Sequence, residues 1–320
     1  MYYHPRSTLI TGVAGFIPSN VAVYLVTKYP QVSFVGLDKM SYCSDKRNIS
    51  EILDKPNFTL VEGDICDSDL LNKLWEQYHF DTVLHFAAYT HVDLSFISPI
   101  LYTRNNVVGT HVLLEAARAH QVLRFIHVST DEVYGSSLQS HTEESKLAPT
   151  NPYSASKAAA EMIVQSYITS FGLPAIITRG NNVYGPKQYP EKVIPKFILR
   201  LLNGDKCEIQ GSGLQSRSFL YTEDVCEAFD TILHRGDNGA IYNIGSDDEC
   251  TIRDLATILS RKIVGRDIDC LYVADRSFND VKYNIDCSKL AKLGWKQKVT
   301  LDQGLDKTIQ WYRDNHERYA

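Results

Sequence analysis

Tyr153 and Lys157 form a pair that could carry out acid–base chemistry. They stand four residues apart at the start of a predicted helix over residues 153–171, so their side chains share one helix face. An ammonium group beside a phenol lowers the phenol pKa from about 10 towards neutrality. The resulting tyrosinate could take a proton from a substrate hydroxyl. Surface pairs often have the same spacing, so the pair predicts catalysis only together with neighbouring motifs.

A short polar loop supplies such a motif. Thr130, Asp131 and Glu132 follow a predicted strand at 124–128, so Thr130 can face the same hydroxyl as Tyr153. Adjacent carboxylates repel each other, and with one protonated and one ionised they form an acid and a base side by side. Inversion of a sugar at C4 needs neither group, whereas loss of water across C5 and C6 needs both. A solvated turn is the alternative interpretation.

A glycine-containing turn predicts a dinucleotide site near the N-terminus. Gly12 and Gly15 follow a strand at 7–10 and open a helix at 16–28, where backbone amides can bind a pyrophosphate. Asp38 follows a second strand at 32–37, where a carboxylate binds ribose hydroxyls of NAD and repels the 2′-phosphate of NADP. A tight turn and a loop cap are the alternatives for these features. The expected cofactor-binding residues are Gly12, Gly15, Phe16, Ile17, Asp38, Lys39, Asp64, Ile65, Ala87, Ala88, Tyr153 and Lys157.

Pro18 stands where the third glycine of this motif is usual. A proline in the first helical turn loses no needed hydrogen bond. Its bulk nevertheless predicts a local adjustment of the packing between helix and strand.

The second half of the chain contains candidates for substrate binding. Arg217 and Arg276 are expected at a diphosphate, because a guanidinium binds phosphate through two parallel hydrogen bonds. Each alone is more often a surface arginine, and His91 is as often structural as functional. The full expected substrate-binding set is His91, Thr130, Asn182, Lys192, Val193, Arg217, Arg276 and Asn279.

The elements that position these residues alternate between strand and helix. Six strands are predicted before residue 180, and this order indicates an α/β fold with a doubly wound parallel sheet of Rossmann type. The expected domains are an NAD-binding domain at 1–180 with a return segment at 216–246, and a smaller α/β substrate lobe at 181–320. Ligands of such sheets bind at the carboxyl ends of the strands, where the motifs fall.

The composition and charge of the chain argue against several kinds of partner and site. A net charge of −5 with scattered Lys and Arg argues against nucleic acid or a membrane surface as a partner. The seven cysteines include no CxxC pair, so neither a zinc site nor a disulfide framework is expected, and no other metal site is predicted. The sequence has no signal-peptide pattern and no apolar run of membrane-spanning length, which predicts a cytoplasmic enzyme.

Taken together, the motifs resemble the nucleotide-sugar branch of the extended short-chain dehydrogenases over nearly the whole chain. The resemblance is strongest to dTDP-glucose 4,6-dehydratases and to the dehydratase domain of plant UDP-rhamnose synthases. The segment STDEVYG is the most specific. The other segments that carry the resemblance include ITGVAGFI, LDKMSYCSDKRN, GDICD, HFAAYTHVDLSF, PTNPYSASKAAAE, TRGNNVYGPKQYPEKVIPKFI, RSFLYTEDVCEAF, YNIGS and DRSFNDVKY.

The resemblance implies a role for each catalytic residue. Tyr153 would deprotonate the C4 hydroxyl, with Lys157 tuning it and Thr130 bound near C4. Asp131 would be the acid at C6 and Glu132 the base at C5. NAD would be reduced and restored within each cycle, giving a nucleotide-linked 4-keto-6-deoxyglucose. The resemblance also implies a homodimer through a four-helix bundle built from helices near 101–120 and 153–171.

The nucleobase of the substrate is indicated by only two segments of the sequence. The segments RGNNVYGP and DRSFNDVKY look more like the plant enzymes, which favours UDP-glucose over dTDP-glucose. The alternative functions are a nucleotide-sugar 4-epimerase or decarboxylase that uses the same NAD and Tyr153, and a non-catalytic NAD-binding protein.

Overall fold

The computed structural model describes residues 2–136, 139–274 and 284–319. Strand and helix alternate through the first part of the chain. Its elements are β1 (Ser7–Thr11), α1 (Phe16–Lys28), β2 (Ser33–Asp38), β3 (Phe58–Glu62), α2 (Ser68–Tyr78), β4 (Thr82–His85), α3 (Val92–Ile97), α4 (Pro99–Tyr102), α5 (Gly109–Ala119), β5 (Arg124–Thr130), α6 (Pro152–Phe171) and β6 (Ala175–Gly180).

The later elements are shorter on average. They are β7 (Asn182–Tyr184), α7 (Val193–Leu202), β8 (Glu208–Gln210), β9 (Ser216–Tyr221), α8 (Thr222–Arg235), β10 (Ile241–Ile244), β11 (Glu249–Thr251), α9 (Ile252–Val264), β12 (Leu271–Val273), α10 (Ser288–Lys292) and α11 (Leu301–Asp314).

A seven-stranded sheet forms the centre of the fold, in the order β10-β6-β5-β4-β1-β2-β3. All its strand pairs are parallel. One apolar core lies between this sheet and α1 and α8, and a second lies on the side of α2, α5 and α6. The predicted Rossmann-type α/β fold is confirmed. Because β1 pairs with both β2 and β4, the strand order reverses at β1 and opens a crevice at the carboxyl ends.

The elements after β6 contribute to more than one sheet. β7, β9 and β11 form a three-stranded sheet, and β8 pairs with β12. A third apolar core joins these strands to α7, α9 and α11. β10 instead returns to the edge of the central sheet beside β6. The chain therefore crosses back to the central sheet after building part of the smaller layer.

The helix expected near 101–120 is interrupted by a π-helical turn at Thr103–Val108. This turn buries the side chains of Asn105 and Asn106, which lie beside the loop that follows β4. π-Turns inside helices often mark functional sites, because they turn side chains that a regular helix would point elsewhere. One continuous helix was predicted here from the sequence, and the π-turn was not anticipated.

The described residues contain neither a membrane-spanning helix nor a metal-binding cluster. No helix in that part of the chain is long and apolar enough to cross a membrane. Over the same residues, no three His, Cys, Asp or Glu side chains cluster in a way that could hold a metal ion.

Candidate active site

A cavity of about 290 Å³ lies at the carboxyl ends of the central strands. It is lined by most of the residues that the sequence predicted. These are Gly12, Gly15, Phe16, Ile17, Asp38, Lys39, Asp64, Ile65, Ala87, Ala88, Thr130, Asp131, Glu132, Tyr153, Lys157, Asn182, Lys192 and Val193. The fold therefore brings the expected cofactor and catalytic residues together in one cleft.

The turn after β1 requires its glycine. Gly12 has φ +72°, and a Cβ there would lie 2.9 Å from the Cα of Ala87. This is too close for any side chain, so the turn passes directly against the loop after β4. Gly15 then begins α1 without a side-chain cap, and the first helical turn contains no acidic residue. The amides at this helix start are thus available to an anion.

Pro18 fits into the first turn of α1 without breaking the helix. The helix is 13 residues long, from Phe16 to Lys28, and Pro18 is itself buried. A residue at this position has no intrahelical acceptor for its amide, so the missing N–H costs nothing.

Asp38 is a buried carboxylate at the end of β2. Its Oδ2 accepts a hydrogen bond from the amide of Ala14 at 2.9 Å, and its Oδ1 accepts from the amide of Met40 and the hydroxyl of Ser44. Lys39 Nζ lies 2.5 Å from Asn105 Oδ1. The three hydrogen bonds from Ala14, Met40 and Ser44 hold the Asp38 carboxylate in a fixed orientation at the edge of the cavity.

His85 connects Thr11 at the end of β1 and the loop after β4 to the π-turn through a buried chain of hydrogen bonds. The hydroxyl of Thr110 donates to the carbonyl of Asn106 at 2.6 Å, so it can only accept from His85 Nε2 at 2.9 Å. His85 Nδ1 then accepts from the hydroxyl of Thr11 at 2.8 Å, and Thr11 accepts from the amide of Ala87 at 3.1 Å. Burial lowers the pKa of His85 to about 3, so the imidazole is neutral and its tautomer is fixed.

Tyr153 and Lys157 lie on the buried face of α6, as their spacing predicted. The Lys157 ammonium donates to the carbonyl of Val128 on β5 at 2.6 Å, and burial lowers its pKa to about 8. The expected lowering of the Tyr153 pKa is wrong for the protein alone. Burial and then the Glu132 carboxylate raise the pKa of Tyr153, while a hydrogen bond with Thr130 acts in the opposite direction.

The start of α6 also holds one of the two adjacent carboxylates. Asn151 caps the helix, because its side chain accepts from the amide of Ser154 at 2.8 Å. The amide nitrogen of the same side chain donates to Glu132 Oε2 at 3.2 Å. The N-cap residue of α6 therefore also orients Glu132.

Asp131 is 2% exposed, and its environment differs sharply from that of a surface carboxylate. Burial, followed by repulsion from Glu132, raises the pKa of Asp131 to about 7. Asn181 donates to Asp131 Oδ2 at 2.6 Å, and Thr130 donates to Asp131 Oδ1 at 3.3 Å. The carboxyl group is therefore poised to exchange a proton near neutral pH, which is the property expected of a general acid.

The remaining predicted substrate residues are distributed unevenly. Lys192 Nζ donates to the carbonyl of Thr90 at 2.9 Å at the cavity edge. His91 lies 3.8 Å from Glu191 Oε2 and is not among the cavity-lining residues, and Arg217 on β9 is not among them either. Arg217 still acts on the site electrostatically, because it opposes the rise in the pKa of Asp131. Arg276 and Asn279 lie outside the described residues.

Several side chains at the site escaped prediction from the sequence. Asn105, Asn181, Gln188 and Glu191 all line the cavity. Asn106 lies behind them and is fully engaged, since it bonds both backbone groups of Tyr89 and the hydroxyl of Ser156. The adjacent asparagine pairs at 105–106 and 181–182 were the available signal, because buried amides at strand and helix ends usually orient other groups.

The family model for GDP-mannose 4,6-dehydratase matches residues 9–308. The chain belongs to this family. The expected resemblance to nucleotide-sugar 4,6-dehydratases is thereby confirmed.

Curated relatives support the same family. The chain is 50% identical to a dTDP-D-glucose 4,6-dehydratase of Mus musculus, covering 98% of this chain and 90% of the relative. It is 52% identical to a trifunctional UDP-glucose 4,6-dehydratase, epimerase and reductase of Arabidopsis thaliana, covering 98% of this chain and 48% of the relative. The chain thus spans about half the length of the Arabidopsis relative.

Solved structures of similar proteins have the same fold as this chain. A dTDP-glucose 4,6-dehydratase from Streptomyces venezuelae, crystallised with NAD and TYD, has a TM-score of 0.93 at 39% identity, with 98% of each chain covered. A UDP-glucose 4-epimerase from Thermotoga maritima, crystallised with UDP-glucose, has a TM-score of 0.90 at 30% identity, covering 97% of this chain and 99% of that chain. The fold is thus shared by enzymes of two reaction types.

Proposed function

We propose that this protein is an NAD-dependent nucleotide-diphosphate-glucose 4,6-dehydratase, a hydro-lyase that forms a nucleotide-linked 4-keto-6-deoxyglucose. The observation that carries the proposal is the Asp131–Glu132 pair in the cavity that also contains Tyr153 and Lys157. A carboxyl with a pKa of about 7 beside a second carboxylate supplies the acid and the base that elimination of water needs. Simple inversion at C4 would not require that pair.

The first part of the cleft fits a dinucleotide. The uncapped start of α1 suits a pyrophosphate, and Gly12 and Ala87 border the cleft without bulky side chains. The buried Asp38 carboxylate suits ribose hydroxyls and disfavours a 2′-phosphate. When bound, NAD⁺ would accept a hydride from C4 and return it to C6, and its positive nicotinamide ring would favour ionisation of Tyr153.

Each catalytic residue then has a separate task. Tyr153 receives the proton of the C4 hydroxyl, and the Lys157 ammonium stabilises the negative charge of the tyrosinate. Thr130 hydrogen-bonds Tyr153 and holds it towards C4. Glu132, oriented by Asn151, removes the C5 proton, and Asp131 gives its proton to the departing C6 hydroxyl. The two carboxylates act after C4 oxidation, because the C4 ketone acidifies the C5 proton.

We further propose UDP-glucose as the preferred substrate, with dTDP-glucose as the alternative. The Arabidopsis relative acts on UDP-glucose by its name, and the segment RGNNVYGP resembles the plant enzymes. Within the expected substrate set, Asn182, Lys192 and Val193 line the cavity and are proposed to contact the nucleotide sugar. Residues 1–180 with 216–246 are proposed to bind NAD, and the rest of 181–320 the substrate.

We also propose a homodimer through the outer faces of α5 and α6. Met162 and Phe171 on α6 are 52% and 56% exposed, and Val108 just before α5 is 48% exposed. Sedimentation velocity of Met162→Arg should show a shift from dimer to monomer. Leu123→Arg, at a side chain that is also 52% exposed but lies outside both helices, should stay dimeric. A monomeric wild type would refute the dimer.

The cysteines of the described chain are all free, which fits the proposed cytoplasmic location.

The proposed activity is tested by incubating the purified protein and NAD with UDP-glucose or dTDP-glucose at equal concentrations. A product that has lost one water and gives the alkaline chromophore of a 4-keto-6-deoxy sugar supports the dehydratase, and the ratio of kcat/KM values gives the nucleotide preference. A product of unchanged mass with inverted C4 would identify a 4-epimerase. NAD binding without conversion of either sugar would identify a non-catalytic protein.

Matched variants separate the two carboxylates from Tyr153. Asp131→Asn and Glu132→Gln should still oxidise C4, so reduced nicotinamide should accumulate in a single turnover while dehydration stops. Exchange of the C5 proton with solvent deuterium should be much slower in Glu132→Gln than in Asp131→Asn. Wild-type dehydration rates in both variants would exclude this acid–base assignment.

A further inference from the structure

Asn181 lies next to Asp131 although the two residues follow different strands. It directly follows β6, and its backbone N–H donates to the carbonyl of Ile244 on β10 at 3.0 Å. Its side-chain nitrogen donates to Asp131 Oδ2 at 2.6 Å. Both residues are buried, so neither side chain can exchange this bond freely for water. The hydrogen bond therefore belongs to the permanent structure of the site.

The orientation of the Asn181 amide is fixed from its other side. Its Oδ1 accepts a hydrogen bond from the backbone amide of Ser246 at 3.1 Å. Gly245 leaves the space for this oxygen, since a Cβ at that position would overlap Asn181 Oδ1. Rotating the amide by half a turn would bring two N–H donors together, so the NH₂ group must face Asp131. The hydrogen-bond donor at Asp131 Oδ2 is therefore set by the backbone after β10.

We propose that Asn181 is a positioning residue that fixes Asp131 Oδ2 as a hydrogen-bond acceptor and so keeps the transferable proton on Oδ1. In a protonated carboxyl group the carbonyl oxygen is the better acceptor, so a strong donor at Oδ2 favours the hydroxyl form of Oδ1. The Thr130 hydroxyl lies 3.3 Å from that same Oδ1, and because a hydroxyl can accept as well as donate, it can accept from Oδ1 once Asp131 is protonated, which the Asn181 NH₂ group cannot do. The proton that Asp131 would give to C6 is thereby held on the side of the reacting groups. This inference rests on the proposed function and adds a residue to it.

The charged and titratable groups around Asp131 determine how Asn181 should affect its acidity. Glu132 faces Asp131 from the same turn, Arg217 acts from β9, and Tyr153 lies opposite on α6. Glu132 raises the pKa of Asp131, and Arg217 lowers it. The Asn181 N–H group also lowers this pKa, because it stabilises the ionised carboxylate. Removing this donor should therefore raise the pKa of Asp131 further above its ordinary value.

The test is the pH dependence of dehydration in Asn181→Leu and Asn181→Asp. Asp131 must be protonated to act, so activity should be present below its pKa and lost above it. In Asn181→Leu the descending limb should move up by about one pH unit, the scale of one hydrogen bond to a charged group. Turnover below the limb should fall about tenfold, because the carboxyl is no longer held. In Asn181→Asp the limb should also move up, because a second carboxylate disfavours ionisation.

The neighbouring asparagine provides the matched control. Asn182 lines the cavity and belongs to the proposed substrate contacts. Among the described residues, it forms no hydrogen bond with Asp131, whereas Asn181 does. Asn182→Leu should raise KM and leave the descending limb where it is in the wild type. Asn181→Asp retains an acceptor for the Ser246 amide, so it guards against loss of folding in the leucine variant.

A second measurement does not depend on activity. The infrared carboxyl band of Asp131, identified by subtracting the spectrum of Asp131→Asn, should titrate at higher pH in both Asn181 variants. Unchanged titration and an unchanged limb in both variants would overturn the role of Asn181. If the wild type forms no 4-keto-6-deoxy product, the proposed function fails, while the infrared titration still decides whether Asn181 tunes Asp131.

Discussion

Replacing Asp131 with asparagine should stabilise the protein while removing the proposed acid. Asp131 is buried, and its pKa rises from 3.8 to about 7 on folding, chiefly through burial and then through Glu132. The folded state therefore binds more protons than the unfolded state between these two values, and stability falls as pH rises through this window. The difference of about three pH units corresponds to about 4 kcal/mol above pH 7. Asparagine cannot ionise and avoids this cost.

Urea denaturation of wild type and Asp131→Asn at several pH values measures the effect. Well below the unfolded-state pKa of 3.8 the stability difference between the two proteins should be smallest, because the wild-type carboxyl is then protonated in both the folded and the unfolded state. From pH 5 to pH 8 the advantage of the variant should widen by about 3 kcal/mol. Both proteins should be measured without added nucleotide, since bound ligand also stabilises the folded state.

Two controls distinguish this reasoning from a general effect of removing a charge. Asp54→Asn changes an exposed carboxylate on the surface and measures the effect of the substitution itself. Glu132→Gln removes the repulsion on Asp131, so it should reduce the pH dependence of the wild-type stability. A stability gap between wild type and Asp131→Asn that is constant with pH, or that narrows above pH 7, would refute a strained carboxyl at this position.

Three further predictions concern the cofactor and the base. Tyr153→Phe should lower turnover by about a hundredfold or more, the scale of general-base catalysis, and near-normal turnover would make Tyr153 structural. Titration should show tighter binding of NAD than of NADP, and Asp38→Asn should reduce that preference; equal affinities in the wild type would contradict the role of Asp38. His85→Gln can keep the bond to Thr110 but not the bond to Thr11, so NAD should bind about tenfold more weakly. Unchanged affinity in that variant would show that the buried chain does not fix the loop at Ala87.

The elements of the first half were predictable because their signals are local. Helix α1 begins at Phe16 and ends at Lys28, and α2 spans Ser68–Tyr78, as the apolar spacing and the flanking residues indicate. The alternation of strand and helix then permits few topologies, so the parallel sheet follows. The π-turn at Thr103–Val108 was missed, because its cause is the burial of two asparagines against another segment.

The candidate site was predictable only where its residues lie close together in one segment of the sequence. Tyr153 and Lys157 share one helix, so their spacing was enough to place them on one face. The pairing of Asp131 with Asn181 spans 50 positions and depends on which strands are neighbours in the sheet. The direction of the Tyr153 pKa also depends on tertiary structure, because burial and Glu132 outweigh what the spacing to Lys157 suggests.

A second tertiary pair keeps α6 in place against the sheet. Glu161 on α6 and Arg179 on β6 form a buried ion pair with a separation of 2.7 Å. Arg179 also donates to the Tyr134 hydroxyl, which in turn contacts Asn243 on β10. Breaking a buried pair leaves an uncompensated charge, so it constrains the helix strongly even when its net contribution to stability is small. The ion pair thus joins α6, which carries Tyr153, to β6, and sequence spacing does not reveal this contact.

The most direct test of the proposed activity follows one deuterium atom through the reaction. UDP-glucose or dTDP-glucose carrying deuterium at C4 is incubated with the protein and NAD, and the sugar is recovered for mass spectrometry and NMR. The proposed mechanism predicts a 4-keto-6-deoxy product with the deuterium on C6 and no net reduction of the cofactor. Recovery of a C4-inverted hexose, or of a 4-keto-6-deoxy product without deuterium at C6, would contradict it.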